Sequence, residues 1–263
     1  MKYIYGKNVF LTGGSSGIGL ATAELLASQG YIVYAGSRNP AAVSRSFSEG
    51  GEIHPVTIDV CDDTSVAKAA EATLAAADIG IIIHCAGIGI ACPAEDFPPT
   101  AVNKLFETNL LGVLRVNSHF LPHLRKRGSG LCIMVGSVAG IFAIPFQAHY
   151  SASKAALDSY TKALRMELKN FGVQASLVMP GDTATPFTGA RSYQIAESSP
   201  YYQACCAAVT KMAQDEQKWP PTRFRSAYYL KNLSQAETRC PLYGRAQLSS
   251  AGFFAALAAR KLN

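Results

Sequence analysis

The chain has 263 residues, of which 49% are hydrophobic and 16% are charged. This composition supports a large apolar core and excludes an intrinsically disordered chain. The formal net charge of +6 is modest, and the basic residues are scattered apart from Arg125-Lys126-Arg127. A nucleic-acid partner is therefore not indicated, whereas an anionic cofactor or substrate is compatible with the charge.

Cysteine and histidine usage predicts no metal site and no disulfide framework. There are seven cysteines without a C-x-x-C motif and five histidines without H-E-x-x-H spacing. Free thiols of this kind are typical of a reducing compartment, so we expect a cytoplasmic protein. Residues 1–7 are polar, which predicts no signal peptide. No apolar run has the length of a transmembrane segment.

Strands and helices alternate from the N-terminus onward. Residues 8–11 form a buried apolar run, the glycine-rich stretch Thr12–Gly19 follows, and an amphipathic helix extends to Gln29 and ends at Gly30, where a left-handed residue is needed. Further strands are predicted at 31–35, 53–58, 79–83, 131–135 and 173–179, and further helices at 64–77, 101–125 with a break near Asn109, and 148–171.

This alternation predicts an α/β fold, because near-continuous apolar strands are typical of a parallel sheet covered on both faces. We expect a doubly wound parallel sheet, the Rossmann fold, as a single domain over residues 1–263. Residues 182–235 are rich in proline and aromatic residues and show weak periodicity. They predict an insertion of short helices and loops that forms a lid. A final strand is predicted at 240–243.

The glycine-rich stretch lies between a strand and a helix, which is the context that dinucleotide binding requires. Glycine lets the backbone approach a pyrophosphate, and the helix N-terminus supplies amide donors and a positive potential. A glycine-rich turn without a ligand is the alternative. The residues predicted to contact the cofactor here are Gly13, Ser15, Ser16, Gly17, Ile18 and Gly19.

Ser37 and Arg38 follow the second strand, where a carboxylate would bind the ribose 2′-hydroxyl of NAD. An arginine at this position can instead bind the 2′-phosphate of NADP. The sequence therefore predicts that NADP(H) is preferred over NAD(H). A surface arginine in a loop is the alternative.

Two further strand ends offer cofactor contacts. Asp59 can accept a hydrogen bond from the adenine amino group, with the Val60 amide alongside. The alternative is that Asp59 caps the next helix. Cys85, Ala86 and Gly87 form a small-residue turn that would let a ribose lie close, or a turn with no ligand.

Tyr150 and Lys154 are four residues apart and therefore lie about one turn apart on one helix face. A free tyrosine has a pKa of ~10, and a nearby ammonium is expected to lower it. The pair could then transfer a proton near neutral pH. Ser137 lies thirteen residues upstream, after a buried strand. For the pair alone, the alternative is an ordinary helix surface.

Together these motifs resemble those of the short-chain dehydrogenase/reductase family, in order and at family-like spacing, over about residues 7–185. The narrower sequence from Gly136 to Tyr150 is similar to that of 17β-hydroxysteroid dehydrogenases and of retinol-reducing and lipid ketone-reducing relatives. The motifs that carry the resemblance are Thr-Gly-x-x-x-Gly-x-Gly at 12–19, Asp59, Ala86-Gly87, Asn109, Ser137, Tyr150-x-x-x-Lys154 and Pro180-Gly181.

The resemblance implies catalytic roles for Asn109, Ser137, Tyr150 and Lys154. Tyr150 would exchange a proton with the substrate oxygen, and Ser137 would polarise that oxygen. Lys154 would lower the tyrosine pKa and hold the nicotinamide ribose. Asn109 would order a water in a proton relay. The resemblance also predicts cofactor contacts from Pro180, Gly181, Thr183 and Thr185.

Cys85 is a departure from the family, which usually has asparagine there and commonly also at His84. That asparagine helps brace the sheet and the adenosine side of the cofactor. A cysteine cannot make the same amide hydrogen bonds. We therefore expect either weaker cofactor binding or bracing by another residue.

These observations predict an NADPH-preferring oxidoreductase that interconverts a ketone and a secondary alcohol on a hydrophobic substrate. A steroid is the first expectation, and a retinoid, lipid or acyl ketone is the alternative. An alcohol oxidase linked to NAD and a non-catalytic NADP-binding regulatory protein are further alternatives. The resemblance implies a homodimer or homotetramer that pairs through helices 101–125 and 148–171.

Aromatic and apolar residues over the predicted site support a hydrophobic ligand, although they could equally pack the lid. The predicted substrate contacts are Ser137, Phe146, His149, Tyr150 and Phe187. Their apolar surroundings are Ile141, Phe142, Pro186, Tyr193, Ile195, Tyr201, Tyr202 and Trp219.

Overall fold

Short buried strands assemble into one seven-stranded sheet with the order β3-β4-β2-β1-β5-β7-β8. The computed structural model describes residues 4–40 and 45–218. Every neighbouring pair in this sheet is parallel except β3 with β4. The strands of the described residues are β1 (Asn8–Thr12), β2 (Ile32–Ser37), β3 (Arg45–Ser46), β4 (Glu52–Thr57), β5 (Ile79–His84), β6 (Ile90–Ala91), β7 (Gly130–Val135), β8 (Val173–Val178) and β9 (Ser192–Tyr193).

The predicted doubly wound parallel sheet is thereby confirmed, and each predicted strand end lies within two residues of the observed one. The strands β3, β6 and β9 were not predicted. Each of them has only two residues, which is too short to show a hydrophobic period.

Helices cover both faces of the sheet. The predicted helix 101–125 is two α-helices joined by a π-helical turn at Glu107–Leu111, so the break near Asn109 is present. Gly30 has φ +88° and Gly128 has φ +68°, and these left-handed residues end the first and fourth helices. The α-helices are α1 (Gly17–Ser28), α2 (Asp63–Ala76), α3 (Pro99–Phe106), α4 (Gly112–Arg127), α5 (Ala148–Leu168) and α6 (Tyr202–Gln217).

Two apolar layers sandwich the sheet, because successive strand residues point to opposite faces. Along β1, Phe10 packs with α2, α4 and α5 on one face. Val9 and Leu11 pack with α1 on the other face. The ring of Phe10 stacks on that of Phe120 at a centroid distance of 4.3 Å, and both side chains are fully buried.

The segment after β8 covers the sheet edge but differs from the predicted short helices. It contains β9, which pairs with β6 in a separate sheet, and α6, which has 16 residues. Residues 219–235 of the predicted lid, including Trp219, and the predicted strand at 240–243 lie outside the described residues. Within the described ranges, no helix has the length and apolarity needed to cross a membrane.

The parallel strands end at one edge of the sheet and bring distant segments together there. The residues that follow β1, β2, β5, β7 and β8 at this edge begin the predicted cofactor-binding and catalytic segments. In open α/β sheets, ligands bind in the crevice outside these carboxyl ends. The fold therefore brings these predicted segments to the same end of the sheet.

Phe120→Ala should lower the free energy of unfolding by about 3–5 kcal/mol, because it removes a fully buried ring and leaves a cavity between α4 and the sheet. Urea denaturation followed by circular dichroism measures this loss. Phe171→Ala is the matched control, since Phe171 is 44% exposed, and it should cost less than about 1 kcal/mol. Equal losses in the two variants would contradict this description of the core.

Candidate active site

The glycine-rich turn between β1 and α1 is closely packed and leaves no room for a side chain at Gly13 or Gly19. Gly13 has φ +73°, and a Cβ on it would lie 2.7 Å from the Ala86 nitrogen. A Cβ on Gly19 would lie 2.1 Å from the Gly13 carbonyl oxygen. Ser15 and Ser16 are exposed beside the turn, and the Ser16 hydroxyl does not cap the amides of α1. The helix N-terminus, continued by Ile18, therefore suits a phosphate.

The loop after β8 reaches the same turn. A Cβ on Gly17 would lie 3.6 Å from the Thr185 Cβ, so Thr185 stands where a pyrophosphate contact was predicted. The Thr183 hydroxyl is buried and donates to the Gly181 carbonyl at 2.9 Å. The Pro180 carbonyl accepts from the Val138 amide at 3.1 Å. This loop thereby contacts both the glycine-rich turn and the segment that carries Ser137.

Ser37 and Arg38 lie at the end of β2, beside the glycine turn. The Gly36 carbonyl accepts from the Gly14 amide at 3.0 Å. Ser37 is buried, and its hydroxyl has no hydrogen-bond partner among the described residues. Arg38 is exposed. A buried hydroxyl next to an exposed guanidinium provides two donors for a ligand oxygen at this strand end.

Asp59 follows β4, and it does not cap α2. That role belongs to Asp62, whose carboxylate accepts from the Ser65 amide at 2.6 Å. The Asp59 carboxylate accepts from the Cys61 amide at 2.9 Å and forms a tight turn. Val60 is buried. The capping alternative for Asp59 is thus removed, and a role at the adenine remains a prediction.

Cys85, Ala86 and Gly87 follow β5, and Thr12 braces this turn from the neighbouring strand. The Thr12 carbonyl accepts from the Cys85 amide at 3.1 Å, and the Thr12 hydroxyl accepts from the Ala86 amide at 3.4 Å. Burial raises the pKa of the Cys85 thiol to about 12, against the opposing effect of Lys154. An uncharged thiol therefore replaces the usual asparagine.

Tyr150, Lys154 and Ser137 meet at the ends of β7 and α5. The Lys154 ammonium lies 5.8 Å from the Tyr150 ring centroid and donates to the Val135 carbonyl at 2.9 Å. Burial raises the Tyr150 pKa, and Ser137 lies close enough to the phenol to oppose this shift. The Ser137 hydroxyl also accepts from the Ala139 amide at 3.1 Å. The serine thus both caps a turn and faces the tyrosine.

The prediction that Lys154 lowers the tyrosine pKa is wrong for this structure. Burial is the dominant effect and raises the pKa of Tyr150 above its ordinary value, while Ser137 opposes it. Burial also lowers the pKa of Lys154 to about 8. Both shifts have one cause, because each environment disfavours the charged form of its side chain.

Asn109 lies in the π-helical turn and is fully buried. Its carbonyl oxygen accepts from the Ile88 amide at 2.8 Å, and its amide donates to the Ile88 carbonyl at 3.0 Å and to the Ser153 hydroxyl at 3.2 Å. A Cβ on Gly87 would lie 3.3 Å from its carbonyl oxygen and 3.7 Å from the Lys154 nitrogen. Asn109 therefore positions the segment beside Lys154, and its relay role remains a prediction.

The predicted substrate residues occupy two places. The Phe187 ring lies 6.1 Å from the Tyr150 ring, directly beside the tyrosine. His149 contacts Phe97 edge to face at 5.7 Å, and its Nε2 atom is buried without a partner among the described residues. Phe146 instead packs against the buried cluster of Ala91, Cys205 and Val209.

Sequence reasoning missed an ion pair next to this site. Arg191 is buried, and its Nη2 atom lies 2.5 Å from the Glu216 carboxylate. The Thr188 hydroxyl donates to the same carboxylate. The sequence carries no signal for this ion pair, because the two residues are 25 apart in a segment without a motif. In the described part of the chain, no group of three potential metal ligands occurs.

A glycine-rich turn and a Ser–Tyr–Lys cluster at one edge of a parallel sheet are typical of dinucleotide-dependent oxidoreductases. The sequence profile of the short chain dehydrogenase family matches residues 7–196. This match covers more than half of the chain, and the chain belongs to that family.

Two curated relatives are similar to most of this region. A 3-ketodihydrosphingosine reductase from Bacteroides thetaiotaomicron is 37% identical over 186 residues, which are 70% of this chain and 66% of that protein. Human 17-beta-hydroxysteroid dehydrogenase type 1 is 35% identical over 189 residues, which are 68% of this chain and 57% of that protein. The match thus covers about two thirds of the length of the first relative and little more than half of the length of the second.

A solved structure shares the fold. A short chain dehydrogenase/reductase from Burkholderia phymatum, determined in complex with NAD, superposes with a TM-score of 0.79 at 24% identity. The superposition covers 89% of this chain and 88% of that chain. The likeness shows that the two chains share one architecture.

Gly19→Ala should weaken NADPH binding about tenfold or more, because its Cβ would overlap the Gly13 carbonyl and displace the turn, at about 1.4 kcal/mol or more. Fluorescence titration measures the dissociation constant, and thermal unfolding confirms that the variant is folded. Gly189→Ala is the matched control, since its nearest non-neighbouring atom lies 3.8 Å from the added Cβ. Unchanged NADPH affinity in folded Gly19→Ala would contradict the assignment of this turn.

Proposed function

We propose that this protein is an NADPH-preferring oxidoreductase that interconverts a ketone and a secondary alcohol on a hydrophobic substrate. The observation that carries the proposal is the contact of Tyr150 with Ser137, next to buried Lys154, at the sheet edge that also holds the glycine turn. Family membership supports this reaction type.

The residues fit a nicotinamide dinucleotide. The closely packed glycines leave backbone exposed to a pyrophosphate, and the Ser37 hydroxyl is buried without a partner among the described residues. Gly13, Gly17, Gly19 and Thr185 would hold the phosphates, and Lys154 would hold the nicotinamide ribose. When bound, this cofactor supplies or accepts the hydride at the substrate carbon.

The chain supplies the proton and the polar contacts at the substrate oxygen. In reduction, Tyr150 donates its phenol proton to the oxygen as the carbon receives the hydride, and the product is the alcohol. Ser137 donates a hydrogen bond that stabilises the charge developing on that oxygen. The raised pKa of Tyr150 keeps the phenol protonated, which suits it to be the acid in this direction.

The choice of NADPH depends on Arg38. Its guanidinium is exposed immediately after β2, where it can pair with a 2′-phosphate, and Ser37 lies beside it. The fold itself does not decide the cofactor, since the Burkholderia phymatum structure contains NAD. Arginine is suited to phosphate by its planar fork of donors.

The hydrophobic substrate is supported by the apolar wall around Tyr150. Its ring packs against a buried cluster formed by Ile90, Cys92, Val102 and Leu105, and the Phe187 ring lies 6.1 Å from it. Both curated relatives are named for lipid-like substrates, a sphingoid ketone and a steroid. A panel of steroid, retinoid and long-chain ketones would separate these classes by kcat/KM.

The proposed assembly is a homo-oligomer through α4 and α5. Met166 on α5 is 73% exposed and Leu111, just before α4, is 37% exposed. Exposed apolar side chains on these helices are compatible with a second copy packing there.

Tyr150→Phe should reduce kcat for ketone reduction by about 10²-fold or more, because it removes the proton donor and leaves the ring in place. NADPH oxidation followed by absorbance measures the rate. Tyr160→Phe is the matched control on the same helix, and its rate should match wild type. An undiminished rate in Tyr150→Phe would overturn the mechanism, whereas NADPH binding without turnover by wild type would favour the regulatory alternative.

Arg38→Asp should weaken NADPH binding about tenfold or more and leave NADH binding less affected. The change removes charge-assisted hydrogen bonds worth about 1.5–3 kcal/mol and adds a carboxylate that repels the 2′-phosphate. Titration with both cofactors measures the two dissociation constants. Arg45→Asp, at an exposed ion pair with Glu24, is the control. An unchanged NADPH-to-NADH preference in Arg38→Asp would show that another residue selects the cofactor.

A further inference from the structure

Arg191 is a buried arginine with unused hydrogen-bond donors. Its side chain is 3% exposed, and only its Nη2 atom pairs with Glu216, at 2.5 Å. The Nε and Nη1 atoms are shielded from water and have no partner among the described residues. A buried donor without an acceptor costs about 1–3 kcal/mol. Arginine is rarely buried in this state without a role for the free donors.

The Arg191 side chain lies close to Phe187, the predicted substrate residue beside Tyr150. A Cβ on Gly89 would lie 3.0 Å from the Phe187 ring and 3.6 Å from the Arg191 Cγ, so both side chains pack on the same glycine. The Phe187 ring lies 6.1 Å from the Tyr150 ring. The positive charge of Arg191 lowers the Tyr150 pKa and the negative charge of Glu216 raises it. Both charges are therefore close enough to act on the tyrosine.

The ion pair determines which ligand group would suit these donors. Glu216 neutralises the charge of Arg191, so the pair as a whole offers no net positive charge to a carboxylate. Both Glu216 oxygens already accept, one from Arg191 and the other from Thr188. Each carboxylate oxygen thus has a donor already, and the unpartnered atoms of the pair are the Nε and Nη1 donors of Arg191. What remains is donor capacity, which an uncharged oxygen acceptor would satisfy.

We propose that Arg191 is a specificity-determining residue that binds a second, uncharged oxygen acceptor of the substrate, close to the reacting ketone. Ester, thioester and amide carbonyls and hydroxyl groups share this chemistry. The proposal rests on the proposed function and narrows its substrate class from isolated hydrophobic ketones to apolar ketones that carry a neighbouring neutral oxygen.

The test compares two ketones of equal chain length, methyl 3-oxodecanoate and decan-3-one, with NADPH as the reductant. The measured quantity is the ratio of their kcat/KM values. Because the ester also changes the intrinsic reactivity of the ketone, the informative result is the change of this ratio on mutation. Arg191→Lys can keep the ion pair with Glu216 but loses the Nε and Nη1 donors. Arg191→Met removes the charge as well, and thermal unfolding checks that both variants are folded.

We expect the ratio to fall about tenfold or more in Arg191→Lys and Arg191→Met, mainly through a higher KM for the ester. The control Arg45→Lys makes the same substitution at an exposed ion pair and should leave the ratio as in wild type. A ratio that is unchanged in folded Arg191→Lys, while wild type reduces both ketones, would overturn this inference and leave the proposed function standing.

A further experiment tests the charge argument by replacing the methyl ester with the 3-oxodecanoate anion. We expect wild type to prefer the ester, because Glu216 neutralises Arg191. A preference for the anion of tenfold or more would overturn the assignment to an uncharged acceptor. If wild type reduces none of the three compounds but reduces a steroid or retinoid ketone, this inference fails and the proposed function stands; if it reduces none of these ketones, both fail.

Discussion

The hydrogen bond from the Lys154 ammonium to the Val135 carbonyl, 2.9 Å long, is the contact on which the geometry of the site depends. Val135 is the last residue of β7, and Lys154 lies one turn after Tyr150 on α5. The contact therefore fixes the helix against the sheet at the reacting edge. Ser137 follows Val135 by two residues, so the same contact holds it opposite the tyrosine. Burial disfavours the ammonium and lowers its pKa to about 8, and the carbonyl acceptor offsets part of that cost.

Close backbone packing between the glycine-rich turn and the segment after β5 also supports the site. Gly13 allows the glycine-rich turn to touch the segment after β5, where a Cβ would overlap the Cys85 and Ala86 backbone, and Gly19 allows α1 to begin against the Gly13 carbonyl. Thr12 bonds to the Cys85 and Ala86 amides, so its carbonyl and hydroxyl brace the turn in which the family usually has asparagine. The thiol at Cys85 is held uncharged by burial. The substitution is thus accommodated by backbone contacts that do not need the missing amide.

The sequence predicted the sheet, and it predicted that the segments of Ser137 and of the glycine-rich turn lie at one end of it, because buried parallel strands leave apolar runs and parallel strands end together. It could not predict contacts that have no local pattern. Arg191 and Glu216 are 25 residues apart in a segment with weak periodicity, and β6 and β9 have two residues each. Asp59 and Asp62 were equivalent candidates for the cap of α2 until their local geometry was known. The Tyr150 pKa depends on how deeply the ring is buried, which residue spacing does not show.

The segment after β8 and the strand ends contribute different residues to the candidate site. β9 pairs with β6 through Ser192 and Ile90, and this pairing places Phe187 and Arg191 against Gly89, beside Tyr150. The Arg191 partner comes from α6, which begins at Tyr202 and lies beyond the family match at residue 196. Ser137, Tyr150 and Lys154 thus lie in the region shared with the family, whereas the Glu216 carboxylate that pairs with Arg191 does not. A substrate preference that depends on this ion pair would be a property of this chain's own lid, and it could change without altering the chemistry at Tyr150.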